Sequence, residues 1–179
     1  LQQTQTSQGL SYYNKIINTF PTLKELAEAS EQQILKLWQG LGYYSRARNL
    51  HFTAKYIQNN LNGVFPEDYN SLIKLKGIGP YTAAAISSIC FNEKKAVVDG
   101  NVYRILARVF NNDTAINSPK GVKAFQELAN SLISETNPGD YNQSMMDIGA
   151  TICTPKNPKC NRCPLKSICL SHGNSSVNE

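Results

Sequence analysis

The sequence of 179 residues lacks any stretch approaching the ~20 consecutive apolar residues that a membrane-spanning helix needs, because Ser, Thr and Lys interrupt its longest apolar runs. It also lacks a charged segment that leads into an apolar one, which is the pattern of a secretory signal. We therefore expect no membrane association and a cytoplasmic location. Apolar residues make up 41% of the chain and charged residues 17%, which is typical of a globular protein with a sizeable core.

Acidic residues are missing from two long stretches, 32–66 and 153–169. The basic residues within these stretches are Lys36, Arg46, Arg48, Lys55, Lys156, Lys159, Arg162 and Lys166. Surfaces with charge of one sign suit the phosphate backbone of a nucleic acid, and the net charge of the chain is +5. A solvated basic face explains the same pattern, so both interpretations stay open.

Strand patterns are nearly absent as well. Only Ala96, Val97 and Val98 resemble a strand, and three residues do not form a sheet. Elsewhere apolar residues recur every three or four positions, which is the period of an amphipathic helix. This spacing predicts helices near residues 12–20, 23–27, 31–38, 50–61, 65–75, 83–91, 102–109, 125–132 and 145–150. The sequence therefore predicts an all-α fold, with Ser30 as the N-cap of the third helix.

Four of the five cysteines lie close together, at Cys153, Cys160, Cys163 and Cys169. Four thiolates on one loop can complete the ligand shell of a metal centre. Structural zinc sites usually have two short Cys pairs, whereas this loop has one, and its longer gaps suit a [4Fe–4S] cluster. A zinc site and disulfide bonds are the alternatives. The fifth cysteine, Cys90, lies in an apolar segment and is predicted to be a buried free thiol.

A glycine-rich turn separates two of the predicted helices, within the segment Leu-Lys-Gly-Ile-Gly-Pro-Tyr-Thr-Ala at residues 75–83. Gly77 and Gly79 permit a positive φ and let a phosphate approach the backbone. Pro80 suits the first position of the next helix, whose free N–H groups can bind an anion. We expect Ile78 to fold inward and hold the turn. An ordinary turn between two helices is the alternative interpretation.

Asp99 follows the short apolar triplet and precedes a predicted helix that carries Arg104 and Arg108. Its carboxylate is well placed to cap that helix. A carboxylate at a helix cap can also lie at the mouth of a cleft and take part in catalysis. Both roles stay open from this segment alone.

Together, the Gly-Ile-Gly turn, the acid 20 residues after Gly79 and the cysteine loop resemble the helix-hairpin-helix DNA glycosylases of the endonuclease III superfamily. Segments 1–5, 38–50 and 145–150 resemble the adenine DNA glycosylase branch. The resemblance covers nearly the whole chain. It implies a helical barrel domain at 1–95 with the hairpin at 66–91, and an iron–sulfur domain at 96–179 with the cluster loop at 153–169. Asp99 would lie in a cleft between these lobes.

The resemblance implies a monomeric base-excision repair enzyme, associated with the nucleoid through DNA. Such an enzyme flips adenine out of double-stranded DNA and hydrolyses its N-glycosidic bond where adenine is mispaired with 8-oxoguanine or guanine. Asp99 would stabilise the oxocarbenium-like sugar, with Tyr81 and Asn101 as hydrogen-bonding support. Tyr81 stands where endonuclease III has a Schiff-base lysine, so monofunctional excision is implied.

The resemblance also implies DNA contacts. Gln3 and Leu41 would wedge into the duplex, and Thr4 and Tyr43 would lie near the opposing purine. The remaining implied sites are the adenine pocket for Leu1 and Gln143, phosphate contacts for Gly77, Ile78, Gly79, Lys156, Lys159 and Arg162, and cluster ligation for Cys153, Cys160, Cys163 and Cys169. Core packing is the alternative role for Leu41 and Tyr43.

In this family the general acid that protonates adenine is a Glu two residues before the Leu-Gln-Gln-Thr motif, and here that motif opens the sequence. The domain that reads 8-oxoguanine would follow Glu179. We therefore expect a fragment with largely intact DNA-binding surfaces and impaired excision chemistry. The alternatives are a non-catalytic iron–sulfur module that binds DNA, a glycosylase/lyase similar to endonuclease III, and a zinc-binding scaffold.

Overall fold

The computed structural model describes residues 4–173, apart from the side chain of Thr6. Within this range the chain forms nine α-helices and one 3-10 turn, at Cys160–Arg162, and no β-strand. The helices are α1 (Thr6–Thr19), α2 (Leu23–Glu28), α3 (Glu31–Trp38), α4 (Ser45–Asn60), α5 (Tyr69–Leu72), α6 (Pro80–Phe91), α7 (Gly100–Val109), α8 (Pro119–Leu132) and α9 (Pro138–Thr151). The predicted all-α class is confirmed. None of these helices is long and apolar enough to cross a membrane.

Local signals set several helix starts. Ser30 caps α3, since its hydroxyl accepts a hydrogen bond from the Gln33 N–H at 3.2 Å, as the sequence predicts. Pro80 is the first residue of α6. A proline is tolerated there because the N–H groups of the first helical turn have no carbonyl partner within the helix. Asp99 caps α7. These three predictions are confirmed.

The helix predicted over residues 65–75 is shorter in the structure, where α5 spans four residues. The Asp68 carboxylate accepts a hydrogen bond from the Ser71 N–H at 2.9 Å, so the helix begins only after Asp68. Bonds from the side chain and backbone of Ser71 lower the pKa of Asp68 below its ordinary value. Beyond α5, Lys74 and Leu75 donate to carbonyls three residues earlier, so the chain continues in tighter turns.

The prediction that Cys90 is buried is wrong, because the structure exposes this thiol. The buried face of α6 runs through Ala83, Ala84, Ser87 and Ser88. The last turn of the helix, which contains Cys90, lies beyond this face. Apolar character of the segment predicted burial, but the packing ends one turn before the helix does.

The chain divides into two compact units, one that ends at Thr82 and one that begins at Ala83. In the first unit α2 and α3 pack against α4, with Ala29, Ile34 and Ala47 buried at the contact. His51 is buried in α4, and its Nε2 lies 2.9 Å from the carbonyl oxygen of Ala29. This bond satisfies two polar groups within the packed region.

In the second unit α7 packs against α8 and α9. The core contains Ile105, Leu106 and Phe125, each exposed by 1% or less. Asn142 of α9 is also buried, and its amide accepts a hydrogen bond from the Val97 N–H and donates to the Lys95 carbonyl. The segment before Asp99 is thereby held without a strand partner. The domain boundary predicted between residues 95 and 96 stays a prediction.

Candidate active site and cluster loop

Asp99 is a half-buried carboxylate that is held at both oxygens. Its Oδ1 accepts a hydrogen bond from the Val102 N–H at 2.9 Å, which caps α7. Its Oδ2 accepts a bond from Nδ2 of Asn101 at 3.0 Å. Two donors from consecutive residues in the first turn of α7 therefore fix the orientation of the carboxylate. Each oxygen has a second lone pair that can face a reacting group.

Arg104 connects the surroundings of Asp99 to the cysteine loop. Its Nη2 donates to Oδ1 of Asn101 at 2.8 Å and to the Gly149 carbonyl at 2.7 Å. Its Nε donates to the carbonyl of Cys153 at 2.6 Å. One guanidinium thus orients the amide that orients Asp99, and also holds the first cysteine. The sequence alone predicts no role for Arg104. Its position next to the apolar residues Ile105 and Leu106 of α7 was the feature that could have indicated one.

All four predicted ligand cysteines line one cavity. The cavity walls also contain Ile105, Val109, Ile148, Ile152, Pro158 and Leu165. Among residues 4–173, no three His, Cys, Asp or Glu side chains are grouped closely enough to hold a single metal ion. Four thiols around one largely apolar cavity suit an iron–sulfur cluster, which Cys thiolates hold. The residues present therefore fit an iron–sulfur cluster.

Arg108 forms the basic part of the cavity wall. Its Nη1 lies 3.4 Å from Sγ of Cys153 and donates to the Thr154 carbonyl at 2.8 Å. Its own carbonyl accepts a bond from the thiol of Cys169 at 3.6 Å. A guanidinium beside a cysteine can donate a hydrogen bond to the sulfur that would hold iron. Hydrogen bonds to sulfur also tune the reduction potential of such clusters.

The side chains predicted to reach DNA from the second unit lie on its surface. Lys156, Lys159 and Arg162 are exposed on the cysteine loop. Gln143 is exposed on α9, and its Nε2 donates to Oδ1 of Asp147 at 2.9 Å. A base contact through the Gln143 amide would compete with this bond. The DNA contacts of these four residues stay predictions.

The hairpin turn of the first unit uses its two glycines differently. Gly77 has a φ of +85°, and a Cβ there would lie 2.7 Å from Cβ of Asn49. Gly79 has no positive φ, and a Cβ there would meet nothing within 4 Å. Ile78 is half-buried, and its N–H donates to the Leu75 carbonyl at 3.1 Å. The turn thus needs glycine at 77, while glycine at 79 leaves open space beside the backbone.

Tyr81 lies in the first turn of α6 and is 44% exposed. Before α4, Tyr43 is 72% exposed, whereas Leu41 is only 8% exposed. An inserting side chain must be accessible, so a wedge role for Leu41 would require the side chain to leave the core. Thr4 is half-buried. Leu1 and Gln3 lie outside the described residues, and the roles of all six residues stay predictions.

Two family models match the chain. Residues 1–131 match the model described as HhH-GPD superfamily base excision DNA repair protein. Residues 153–169 match the iron–sulfur binding domain of endonuclease III. The second match begins at Cys153 and ends at Cys169, so it contains all four loop cysteines. The predicted iron–sulfur cofactor is confirmed.

Curated relatives named adenine DNA glycosylase resemble nearly the whole chain. The sequence is 44% identical over 177 residues to the protein of Buchnera aphidicola subsp. Baizongia pistaciae, covering 99% of this chain and 50% of that one. It is 43% identical over 173 residues to the Rattus norvegicus protein, covering 96% of this chain and 34% of that one. The chain therefore spans about half the length of these relatives or less.

Solved structures with the same fold include a thermostable thymine-DNA glycosylase, at a TM-score of 0.86 and 29% identity. That match covers 96% of this chain and 79% of the other. A non-covalent endonuclease III–DNA complex matches at a TM-score of 0.78 and 21% identity, covering 95% and 78%. The predicted glycosylase fold is confirmed.

Proposed function

The chain belongs to the HhH-GPD superfamily of base excision DNA repair proteins, and on that premise we propose that the protein is a DNA glycosylase that removes adenine. Its proposed substrate is double-stranded DNA with adenine opposite 8-oxoguanine or guanine, and its reaction is hydrolysis of the N-glycosidic bond. Support comes from relatives named adenine DNA glycosylase that are 43–44% identical. The observation that carries the proposal is the doubly held carboxylate of Asp99.

Breaking the N-glycosidic bond leaves positive charge on the sugar, and a nearby carboxylate stabilises that charge. Asp99 suits this role because the Val102 N–H and the Asn101 amide fix its position before DNA arrives. A charge that is already oriented needs no reorganisation when the transition state forms. Arg104 acts through Asn101 and is a positioning residue in this scheme.

Tyr81 supports the monofunctional form of the reaction. A glycosylase that also cleaves the strand uses an amine nucleophile to form a Schiff base, and a tyrosine hydroxyl cannot form one. Tyr81 is accessible in the first turn of α6, and in this proposal it hydrogen-bonds to the reacting nucleotide. Hydrolysis by water is then the route left for the sugar.

DNA binding is assigned to two surfaces in this proposal. Around the hairpin, the backbone of Gly77, Ile78 and Gly79 would bind phosphate, supported by the open space at Gly79. On the cysteine loop, the exposed Lys156, Lys159 and Arg162 would bind phosphate through their charge. The remaining assignments are Gln3 and Leu41 as wedges in the duplex, Thr4 and Tyr43 beside the purine opposite adenine, and Leu1 and Gln143 at the flipped adenine.

The iron–sulfur cluster would be held by Cys153, Cys160, Cys163 and Cys169, which line one cavity. When bound, the cluster supplies iron–thiolate bonds that fold this loop and its own redox chemistry. The carbonyl of Cys153 accepts a bond from Arg104. A folded loop would therefore keep Arg104 in the position that orients Asn101.

The test is single-turnover release of adenine from a duplex that carries adenine opposite 8-oxoguanine, with Asp99→Asn compared with the unsubstituted protein. Asn caps helices as well as Asp does, so the substitution keeps the start of α7 and removes only the charge. We expect release to fall roughly 100-fold or more, with duplex affinity nearly unchanged. Asp113→Asn is the matched control, since Asp113 is an exposed acid of the same unit.

Equal rates for Asp99→Asn and the unsubstituted protein would remove Asp99 from the mechanism. Tight binding without release by either protein would favour the non-catalytic DNA-binding module. It is also the result expected if excision by this 179-residue chain is impaired. Strand cleavage with a trappable Schiff base would favour the glycosylase/lyase alternative.

A further inference from the structure

Tyr43 is an exposed aromatic residue in an unfavourable backbone conformation. It lies in the turn between α3 and α4, with a φ of +47° and 72% of its surface exposed. A bulky residue seldom adopts a left-handed conformation, and such strain persists only where surrounding contacts impose it. Core packing is excluded as the cause because the side chain faces solvent. Contacts made by neighbouring residues must therefore hold Tyr43 in this conformation.

Arg46, at the start of α4, contacts both sides of this turn. The centre of its guanidinium lies 5.6 Å from the ring centroid of Tyr43 and 5.5 Å from that of Trp38, within the range of cation–π attraction. Its Nη2 lies 3.5 Å from the Leu41 carbonyl and 3.4 Å from the Gly42 carbonyl. One half-buried side chain thus fixes the backbone of the turn and one face of the Tyr43 ring.

The same guanidinium also reaches the segment before α1. Its Nη1 donates to Oγ1 of Thr4 at 2.7 Å, across 42 positions of sequence. Thr4 and Tyr43 are the two residues that the proposed function places near the purine opposite adenine. Arg46 therefore connects both recognition residues in the protein alone, before any DNA is bound.

Arg48 shows that these contacts are specific to Arg46. It lies two residues later in α4, is exposed, and pairs with the Glu31 carboxylate at 2.9 Å. Lysine could replace the charge of either arginine. Only a planar guanidinium can stack on a ring while it donates to several acceptors in fixed directions.

We propose that Arg46 is a positioning residue that sets the preference of this protein for the purine opposite adenine. It presents the Tyr43 ring outward with Thr4 held by the same guanidinium, so that a mismatched duplex meets a turn already in its binding conformation. Preorganisation of this kind strengthens binding because less conformational freedom is lost. The proposal rests on the proposed function for its substrate. Arg46 would therefore affect the discrimination between duplexes. The attraction of any duplex to the protein depends on charge, which lysine would keep.

The experiment compares Arg46→Lys with Arg48→Lys, two substitutions that keep the charge on the same helix. In the cluster-loaded protein, dissociation constants are measured for a duplex with adenine opposite 8-oxoguanine and for the same duplex with adenine opposite thymine. Hydrogen exchange of the peptide spanning residues 39–46 is measured without DNA. Arg46→Lys should lower the affinity ratio roughly tenfold, the effect of one charge-assisted bond. It should also speed hydrogen exchange in the turn. The dissociation constant for the adenine–thymine duplex should change by less than about twofold.

Arg48→Lys should leave both the affinity ratio and the exchange rates unchanged. In a Tyr43→Ala background, Arg46→Lys should lower the ratio by less than it does alone, because the two residues act together. If both lysine variants lower the ratio equally, the positioning role of Arg46 is wrong while the proposed function stands. If the unsubstituted protein shows no preference between the duplexes, the proposed substrate is wrong. In that case the role of Arg46 in setting a preference is wrong as well, and faster exchange in Arg46→Lys would show only that Arg46 holds the turn that contains Tyr43.

Discussion

Gly149 lies where α9 packs closely against α7, and the contact leaves no room for a side chain at this position. A Cβ at this position would lie 2.4 Å from Cβ of Asn101 and 3.1 Å from its Cα. Asn101 donates to Asp99 and accepts from Arg104, so a displaced Asn101 would disturb both bonds. The absence of a side chain at Gly149 therefore has a direct consequence for the candidate active site.

We predict that Gly149→Ala lowers the free energy of unfolding by about 1–3 kcal/mol, the usual penalty for overpacking. In an open helix the same substitution stabilises by about 0.5–1 kcal/mol, so the sign of the change is informative. Urea unfolding of the cluster-loaded protein measures it. Gly100→Ala is the control, since a Cβ there meets nothing within 4 Å. Equal stability of the two variants would show that α9 can move away from Asn101.

The hairpin before α6 separates a folding requirement from a binding requirement. Gly77→Ala meets both a positive φ and the side chain of Asn49, and we expect it to lower the free energy of unfolding by about 1–2 kcal/mol. Gly79→Ala meets neither obstacle, and we expect its stability to stay within about 0.5 kcal/mol. Thermal unfolding of both variants tests these values.

The same two variants test whether the hairpin turn binds phosphate. If a phosphate approaches the backbone at Gly79, the methyl group of Gly79→Ala occupies its space, and affinity for a duplex falls although the fold is intact. Titration of a labelled duplex at fixed salt measures this loss. Unchanged affinity would mean that the turn only joins two helices, which is the alternative that its sequence left open.

At the scale of the whole molecule, the net charge of +5 is less informative than its distribution. We predict that Lys156→Gln reduces the slope of log affinity against log salt by about 0.9, the contribution of one phosphate contact on B-DNA. Lys120→Gln removes the same charge from an exposed position on α8, outside the stretches that lack acids. Salt titrations of duplex binding compare the two variants. Equal slopes would assign the basic loop to solvent instead of DNA.

Much of the secondary structure could be predicted from the sequence because it depends on near neighbours. Ser30, Pro80 and Asp99 each mark a helix start through bonds or missing bonds within one turn. The spacing of the cysteines indicated a cluster for the same reason, since all four belong to one short loop, and the family match there confirms the cofactor. The helix predicted over residues 65–75 was too long, because the Asp68 cap delays its start and tighter turns follow its last residue.

The exposure of each side chain depends on how the helices pack, and so do the polar contacts between residues that are far apart in sequence. Arg104 reaches the carbonyl of Cys153, 49 positions away, and Arg46 reaches Thr4, 42 positions away. Cys90 and Leu41 are both apolar in character, yet one is exposed and the other buried. The sequence alone indicates the all-α class, the iron–sulfur loop and the helix starts marked by Ser30, Pro80 and Asp99. The orientation of Asp99 by Asn101 and Arg104, and the hold of Arg46 on the Tyr43 turn, arose only from packing, because a polar group bonds to whichever partner the folded chain brings within about 3 Å of it.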